Sequence, residues 1–269
     1  AAKASLSCIT QERITCFNGV PTMFIAMFNH PDYKKTDFSH MRTGIMAGAG
    51  CPADLMKRAA QPDEMNMTGI VSVYGQTESA PGSTMSEWTD SLDLRTETVG
   101  HDFPYIECKI VDPETGEEVP DGENGEFCSR GYNTMKGYYK MPNETRSAVD
   151  AEGWLHSGDL ACRVYNERYT DKNGKMLPCY IITGRLKDMI IRGGENLYPK
   201  EIEDFVYTHP KVQDVQVVGV PDKKYGEEAA ACIILKDGEE MTEEEMRMFM
   251  VERIARHKVP RYIKFVDSF

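Results

Sequence analysis

The chain has no apolar run approaching the ~20 residues that a membrane-spanning helix needs, so nothing in it reads as a transmembrane segment. It is short of basic charge as well: 31 Lys and Arg stand against 43 Asp and Glu, for a formal net charge of -12. A protein that wraps nucleic acid needs a basic face, so nucleic acid is not an expected partner, and any bound polyanion must meet a local cluster or a metal ion. The eight cysteines include no Cys-x-x-Cys pair. That argues against a zinc site and a disulfide framework, and for reduced thiols in the cytoplasm. The opening "AAKASLS" has neither an initiator Met nor the charged and apolar regions of a signal peptide, so the chain reads as a piece of a longer one. No internal repeat or low-complexity segment is evident.

What is present is the composition of a soluble globular protein, 41% hydrophobic and 28% charged over 269 residues, enough for two or three packing units. The 16 methionines read as core filling. From Ile14 to Glu78 short apolar runs alternate with helical stretches, which predicts a parallel sheet with crossover helices. "ITCFNGVPTMFIAMFNHPD" gives a strand, a helix starting near Pro21 and a stop at Pro31. "RTGIMAGAGCPADLMKRAA" repeats the plan: a strand ending near Ala47, a small-residue loop, and a helix with Pro52 in its first turn. "GIVSVYGQTES" is a strand running out into polar residues at Gly75. In open α/β sheets ligands bind at such carboxyl ends.

After Val99 the texture becomes that of hairpins, with "YIECKIV" alternating faces and turns at "DPETG", "DGENG" and "DKNG". Beyond Asp188, Pro199 opens a helix with Ile202, Phe205 and Val206 on one face, and "VQVVGV" and "AACIIL" read as strands. "TEEEMRMFMVERIARHKVP" reads as an amphipathic helix with a Thr242/Glu245 capping box and a stripe of Met246, Phe249, Met250 and Ile254. His30 and His209, each preceding a proline, read as helix-end caps. The fold class expected is therefore α/β plus a β-rich subdomain, followed by a small α+β C-terminal domain, with boundaries at 1–98, 99–184 and 188–269.

Three polar clusters carry candidate chemistry. In "YGQTES" the ring of Tyr74 can stack on a base, Gly75 allows close approach to the backbone, Thr77 can donate to a phosphate, and Glu78 can hold a hard cation. Taken alone it is equally a surface turn. In "GWLHSGDL" Asp159 is suited to accept from two vicinal ribose hydroxyls, and equally to cap a turn. In "GRLKDMIIRGGENLYPKEIE" Arg185 offers a planar fork of donors, Lys187 sits at a change of texture where a hinge could lie, and Gly193 and Gly194 permit close approach. A charged hairpin with a glycine turn explains those glycines too, but not the density of charge.

In this order the three clusters resemble the adenylate-forming superfamily of acyl-CoA synthetases, luciferases and peptide-synthetase adenylation domains. The likeness covers nearly the whole chain and includes "GVPTMF", "AGAG" and "GENGEFCSRGYNTMKGYY". It is closest to medium-chain fatty acyl-CoA synthetases, through "GRLKDMIIRGGENLYPKEIEDF" and "HPKVQDVQVVGVPD". The resemblance implies that a carboxylic acid attacks the α-phosphate of ATP to give an acyl-adenylate and pyrophosphate. The small domain then rotates, and the CoA thiol displaces AMP.

It further implies that Gly48, Ala49, Gly50 and Tyr74, with Gly75, line the adenine pocket, that Thr77 touches the α-phosphate, and that Glu78 holds Mg²⁺. Asp159 and Arg185 would hold the ribose, Lys187 would be the hinge, and Gly193 and Gly194 would line the pantetheine tunnel. "ESAPGST" would form part of the acyl pocket wall. The family's phosphate loop should lie upstream of Gly19 and its Gly-Lys pair after "YIKFVDSF"; neither is in this chain, which therefore reads as a carboxyl-side fragment not expected to catalyse adenylation alone. Ser157 stands where Thr is usual, Cys51 departs from the pattern, and the 166–180 stretch is longer than the family's hairpin. Two other readings stay open: a non-catalytic nucleotide- or acyl-binding module, and an adenylating enzyme for aryl acids or carrier-protein acceptors. Acyl chain length is unreadable, and a homo-oligomer is left open.

Overall fold

A computed structural model describes residues 2–269. The chain first builds a sheet by repeated strand-to-helix passages. After α1 (Ala2–Gln11) come β1 (Cys16–Gly19), α2 (Pro21–Phe28), β2 (Thr43–Ala47), α3 (Ala53–Ala60) and β3 (Gly69–Tyr74). These three strands run parallel, with Asn18 opposite Ile45 and Ile45 opposite Val71. Next, β4 (Thr84–Met85), α4 (Leu92–Glu97) and β5 (His101–Asp102) follow, the two short strands extending the sheet antiparallel in the order β1-β2-β3-β4-β5.

Pro21 starts α2 where its missing N–H is no loss. The helix closes at Phe28, before Pro31, where the Asn29 N–H turns back to the Ile25 carbonyl at 3.0 Å and the His30 N–H to the Met27 carbonyl at 3.1 Å. Pro52 is the N-cap of α3, one position outside the helix. The core under this sheet is rich in methionine: Met27, Met41, Met46, Met56, Met65 and Met67 are buried with Phe24.

A second sheet, in the order β6-β7-β8-β9, consists of β6 (Ile106–Val111), β7 (Gly125–Gly131), β8 (Leu155–Val164) and β9 (Cys179–Arg185), with α5 (Pro142–Ala148) between β7 and β8. Strands β6 and β7 are antiparallel, with Ile110 opposite Phe127. The "DPETG" turn closes as its residues demand: the Asp112 carboxylate accepts from the N–H groups of Glu114 and Thr115 at 2.8 and 2.9 Å.

The last part of the chain forms β10 (Ile190–Arg192), β11 (Glu195–Leu197), α6 (Pro199–Tyr207), β12 (Val212–Asp222), β13 (Gly226–Leu235), α7 (Glu243–Val251) and β14 (Tyr262–Phe265). Its sheet runs β11-β10-β13-β12, with β14 parallel to β13. The core here is mainly β-branched, including Ile190, Ile202, Val206, Val217, Ile233 and Ile263, with Met246 and Met250 from α7. The capping box of α7 is made: the Glu245 N–H donates to Thr242 Oγ1 at 3.2 Å, and the Thr242 N–H donates to Glu245 Oε2 at 2.8 Å. The helix is shorter than its apolar stripe. The N–H groups of Arg253 and Ile254 both turn to the Met250 carbonyl, which tightens the chain out of the helix, and Ile254 packs against the core from beyond its end. His30 and His209 each accept, through Nδ1, the N–H two residues on, at 3.1 and 3.2 Å.

The fold is thus the expected mixture of an α/β region, a β-rich sheet and a small α+β region. By compactness the chain divides into two units, one running to Ser157 and including Ala161–Ile182, the other comprising Gly158–Leu160 and Thr183–Phe269. No helix among the described residues is long and apolar enough to cross a membrane.

Candidate functional site

In the larger unit β3 ends at Tyr74 and runs into a cleft lined by Tyr74, Gly75, Gln76, Ser79, Ser83, Phe127, Ser129, Leu155 and Ser157. Two of the three sequence clusters meet here, "YGQTES" and the front of "GWLHSGDL". The cleft is narrow. Tyr74 is half-buried, with its ring edge-on to Phe127 at 4.9 Å, and Phe127 in turn meets Tyr180 at 5.3 Å. The tyrosine ring is therefore held by a packed aromatic row.

The loop after Tyr74 is fixed from several sides. Thr77–Ser79 form one 3₁₀ turn, in which Ser79 Oγ accepts from the Gln76 N–H and donates to the Gln76 carbonyl, both at 3.0 Å. Buried Asn133 donates from Nδ2 to the carbonyls of Ser79 and Gly82 at 3.0 and 2.8 Å. The Met135 N–H donates to the Glu78 carbonyl at 2.8 Å. Thr77 is exposed at the start of the turn, and the half-buried Glu78 carboxylate accepts from Tyr138 Oη at 2.7 Å, which also raises the Tyr138 pKa.

Gly75 also has a reason within the loop itself. A Cβ there would lie 2.1 Å from the Pro81 carbonyl oxygen, so the glycine is required by the loop's own return. Gly48, Ala49 and Gly50 follow β2 as an exposed loop, where Gly48 takes φ +84°.

In the smaller unit Asp159 and Arg185 are brought together, with Arg185 Nε 3.6 Å from Asp159 Oδ1. Lys187 is exposed on a short 3₁₀ turn, Leu186–Asp188, just past the point where the chain leaves the larger unit. Gly193 and Gly194 are the two-residue turn joining β10 to β11, between the paired Arg192 and Glu195, with φ of +60° and +91°. Positive φ at both positions is what a tight hairpin needs.

The surrounding charges are partnered within the unit. Arg192 reaches the buried Glu228 at 2.8 Å and lies over the Tyr225 ring at 4.4 Å, the Ile191 N–H donates to Glu227 at 2.8 Å, and Arg261 bridges Asp222 and Glu228 at 3.2 and 3.6 Å. The hairpin thus accounts for the glycines and gives Arg192 its partners.

Several residues around the cleft escaped residue-level reading: Gln76, Phe127, Ser129, Asn133 and Tyr138. Ser83 Oγ donates to Ser129 Oγ at 3.2 Å, a pair between segments far apart in sequence. Their signal lay in "GENGEFCSRGYNTMKGYY", which carries Phe127, Ser129, Asn133 and Tyr138 without showing which of them face the cleft.

The chain matches the AMP-binding enzyme family over residues 1–139 and the AMP-binding enzyme C-terminal domain over residues 201–269. It is 51% identical over 264 residues to a putative acyl-CoA synthetase of Bacillus subtilis, covering 98% of this chain and 46% of that protein. It is 43% identical over 267 residues to the mitochondrial medium-chain acyl-CoA ligase of Homo sapiens, covering 99% of this chain and 41% of that protein. The chain therefore spans under half the length of these relatives. Among solved structures it is similar to ATP-bound MatB from Rhodopseudomonas palustris, at 30% identity and a TM-score of 0.84, covering 100% of this chain and 50% of that one. An anthranilate CoA ligase in complex with anthranoyl-AMP is similar at 28% identity and a TM-score of 0.80, covering 100% of this chain and 49% of that one.

Proposed function

We propose a function from one premise: the chain belongs to the AMP-binding enzyme family. It is part of an AMP-forming acyl-CoA synthetase that joins a carboxylic acid, as in fatty acid metabolism, to CoA through an acyl-adenylate, releasing AMP and pyrophosphate. The observation that carries this reading is the meeting of Tyr74, Gly75 and Ser157, from two separate motifs, in one cleft at a strand end. The ATP-bound and adenylate-bound relatives support it.

In this reading Tyr74 and Gly75, with the Gly48 to Gly50 loop, receive the adenine. Thr77 hydroxyl donates to the α-phosphate and helps stabilise the crowded phosphorus centre. Asp159 accepts from the ribose hydroxyls, and Arg185, already its partner at 3.6 Å, fixes the carboxylate and adds donors. Glu78 fits a magnesium ion: it is a hard oxygen donor, partly exposed, beside an exposed hydroxyl, and magnesium is commonly held by one or two carboxylates and the substrate's phosphates. Bound there, Mg²⁺ would neutralise developing phosphate charge.

The second step needs the CoA thiol aimed and water excluded, for which a rotation about Lys187 is the proposed device. The Gly193–Gly194 turn suits a narrow pantetheine path, since a Cβ at Gly194 would meet nothing within 4 Å. The domain boundaries at residues 98 and 188, and a cytoplasmic location, belong to the same proposal.

The test is AMP release, with CoA and straight-chain, branched and aromatic acids, by a protein of the relatives' length that carries this chain. Asp159→Ala is expected to weaken ATP binding about tenfold or more, the cost of a charge-assisted hydrogen bond; unchanged ATP dependence removes it from the ribose site. Lys187→Pro should spare acid-dependent pyrophosphate exchange and block thioester formation. Equal loss of both argues against a hinge there. A protein that binds ATP but releases no AMP with any acid would favour the binding-module alternative.

A further inference from the structure

One cluster of metal-ligating side chains has no part in that reaction. Glu126 and Cys128 lie two residues apart on β7 and so share a face of the sheet. The neighbouring strand β8 brings His156 to them. Its Nδ1 is 2.8 Å from Glu126 Oε2 and 3.5 Å from Cys128 Sγ, and the three donor atoms lie within 4.8 Å of one another. Cys128 is 0% exposed and Glu126 8%, while the His156 side chain, 30% exposed, leaves an approach from solvent.

On the other side of the ring Asp150 Oδ2 lies 3.6 Å from Nε2. Asp150 is itself held, its Oδ1 accepting from the Glu152 and Trp154 N–H groups, both at 2.9 Å. A ligating histidine commonly turns its second nitrogen to a carboxylate in this way.

The spacing suits a small tetrahedral ion. Zinc bonds of about 2.3 Å to sulfur and about 2.0 Å to nitrogen put those two donors roughly 3.5 Å apart, the separation already present between Cys128 and His156. The Glu126–His156 pair, drawn to 2.8 Å by its hydrogen bond, would open by roughly half an ångström, within the reach of a glutamate rotamer. A thiolate beside an imidazole selects zinc-like ions over magnesium or calcium.

We propose that Glu126, Cys128 and His156 form a binding site for a zinc-like divalent cation that cross-links β7 to β8, with Asp150 orienting the histidine and a water in the fourth position. On binding, Cys128 forms a sulfur–metal bond and its thiol proton leaves to solvent. The imidazole ligates through Nδ1 and keeps its single proton on Nε2, toward Asp150. The site does not depend on the proposed reaction, so the two can fail separately.

The test uses the intact chain, stripped with a chelator. Zn²⁺ is titrated in competition with a chromophoric chelator, Co²⁺ serves as a spectroscopic probe, and thermal melting is followed with and without Zn²⁺. One equivalent bound, a thiolate-to-cobalt charge-transfer band and a higher Tm with Zn²⁺ are expected. Cys128→Ser should abolish the band, and His156→Gln, at a partly exposed position, should weaken binding at least about tenfold. A Cys8→Ser, Cys16→Ser double variant, which removes the exposed thiols, should change neither. No bound equivalent in the native chain overturns the proposal, as does a band that survives Cys128→Ser or disappears with the surface thiols. Should Cys128→Ser fail to fold, undiminished affinity in His156→Gln overturns it.

Discussion

The two units hold their chemistry-bearing residues in opposite ways. In the larger one the "YGQTES" loop is tied down by Asn133, Ser79 Oγ, Tyr138 and the return of Pro81, and Tyr74 belongs to a row of packed rings. In the smaller one Arg185 and Lys187 are exposed, and the space beyond Gly194 is open. Their cores differ in the same sense, methionine-rich under the first sheet and β-branched in the second unit. A site that must hold fixed donors around developing charge gains from preorganisation. In the proposed reaction, a surface that exchanges one partner for another would gain from exposed side chains such as Lys187.

The comparison can be broken by substitution. The largest effect is expected at Gly75→Ala, where the new Cβ would lie 2.1 Å from a backbone oxygen. With no flexible neighbour to give way, a loss above about 4 kcal/mol or an unfolded loop follows; a normal melting curve would contradict a tied-down cleft. Ile233→Ala, at a fully buried position in the small unit, should cost about 2–5 kcal/mol in denaturant unfolding. Met56→Leu, fully buried in the large unit, should cost under about 1.5 kcal/mol because volume is kept. A loss at Met56→Leu as large as that at Ile233→Ala would contradict the volume argument.

Gly194→Ala should cost only about 1–2 kcal/mol, the left-handed backbone penalty alone, since nothing obstructs the methyl group. A loss as large as that at Gly75 would mean that the turn is as enclosed as the cleft.

The smallest effect is the most specific. Burial raises the pKa of Asp102, and its Oδ1 has no hydrogen-bond partner. Its folded value lies above its unfolded one, so ionisation costs stability. The penalty is absent below the ordinary carboxylate range and grows as pH rises through the folded value. Asp102→Asn should therefore melt higher than the native chain at neutral pH, with the difference closing as pH falls below ~4, near the unfolded carboxylate pKa. A lower Tm for the variant at neutral pH would contradict the sign.

Much of the fold was legible because it is encoded locally. Proline at Pro21 and Pro199, the Thr242/Glu245 box, and turns such as "DPETG" act within a few residues, and the structure shows each in place. Where local signals are weak the sequence alone shows less. α5 buries no residue and so carries no apolar stripe, and the end of α7 is set by bonds to the Met250 carbonyl rather than by a glycine or proline. Tyr74, Thr77 and Glu78 could be singled out by residue type at a strand end, and Asp159, which lies within β8, by its carboxylate after a small-residue turn. Asn133, Ser129 and Tyr138 could not, because their task is to hold a loop 46 to 60 residues away in the chain.

The sequence by itself determined the class of fold, the family, and the residue types suited to a nucleotide, because periodicity, caps and motifs are properties of neighbours along the chain. Only the tertiary structure decided that Gly75 answers to Pro81, that Gly193 and Gly194 make a hairpin turn, and that Cys128 meets Glu126 and His156 although no Cys-x-x-Cys pair exists. Strand pairing juxtaposes side chains that are remote in sequence, and no local pattern records which faces will meet.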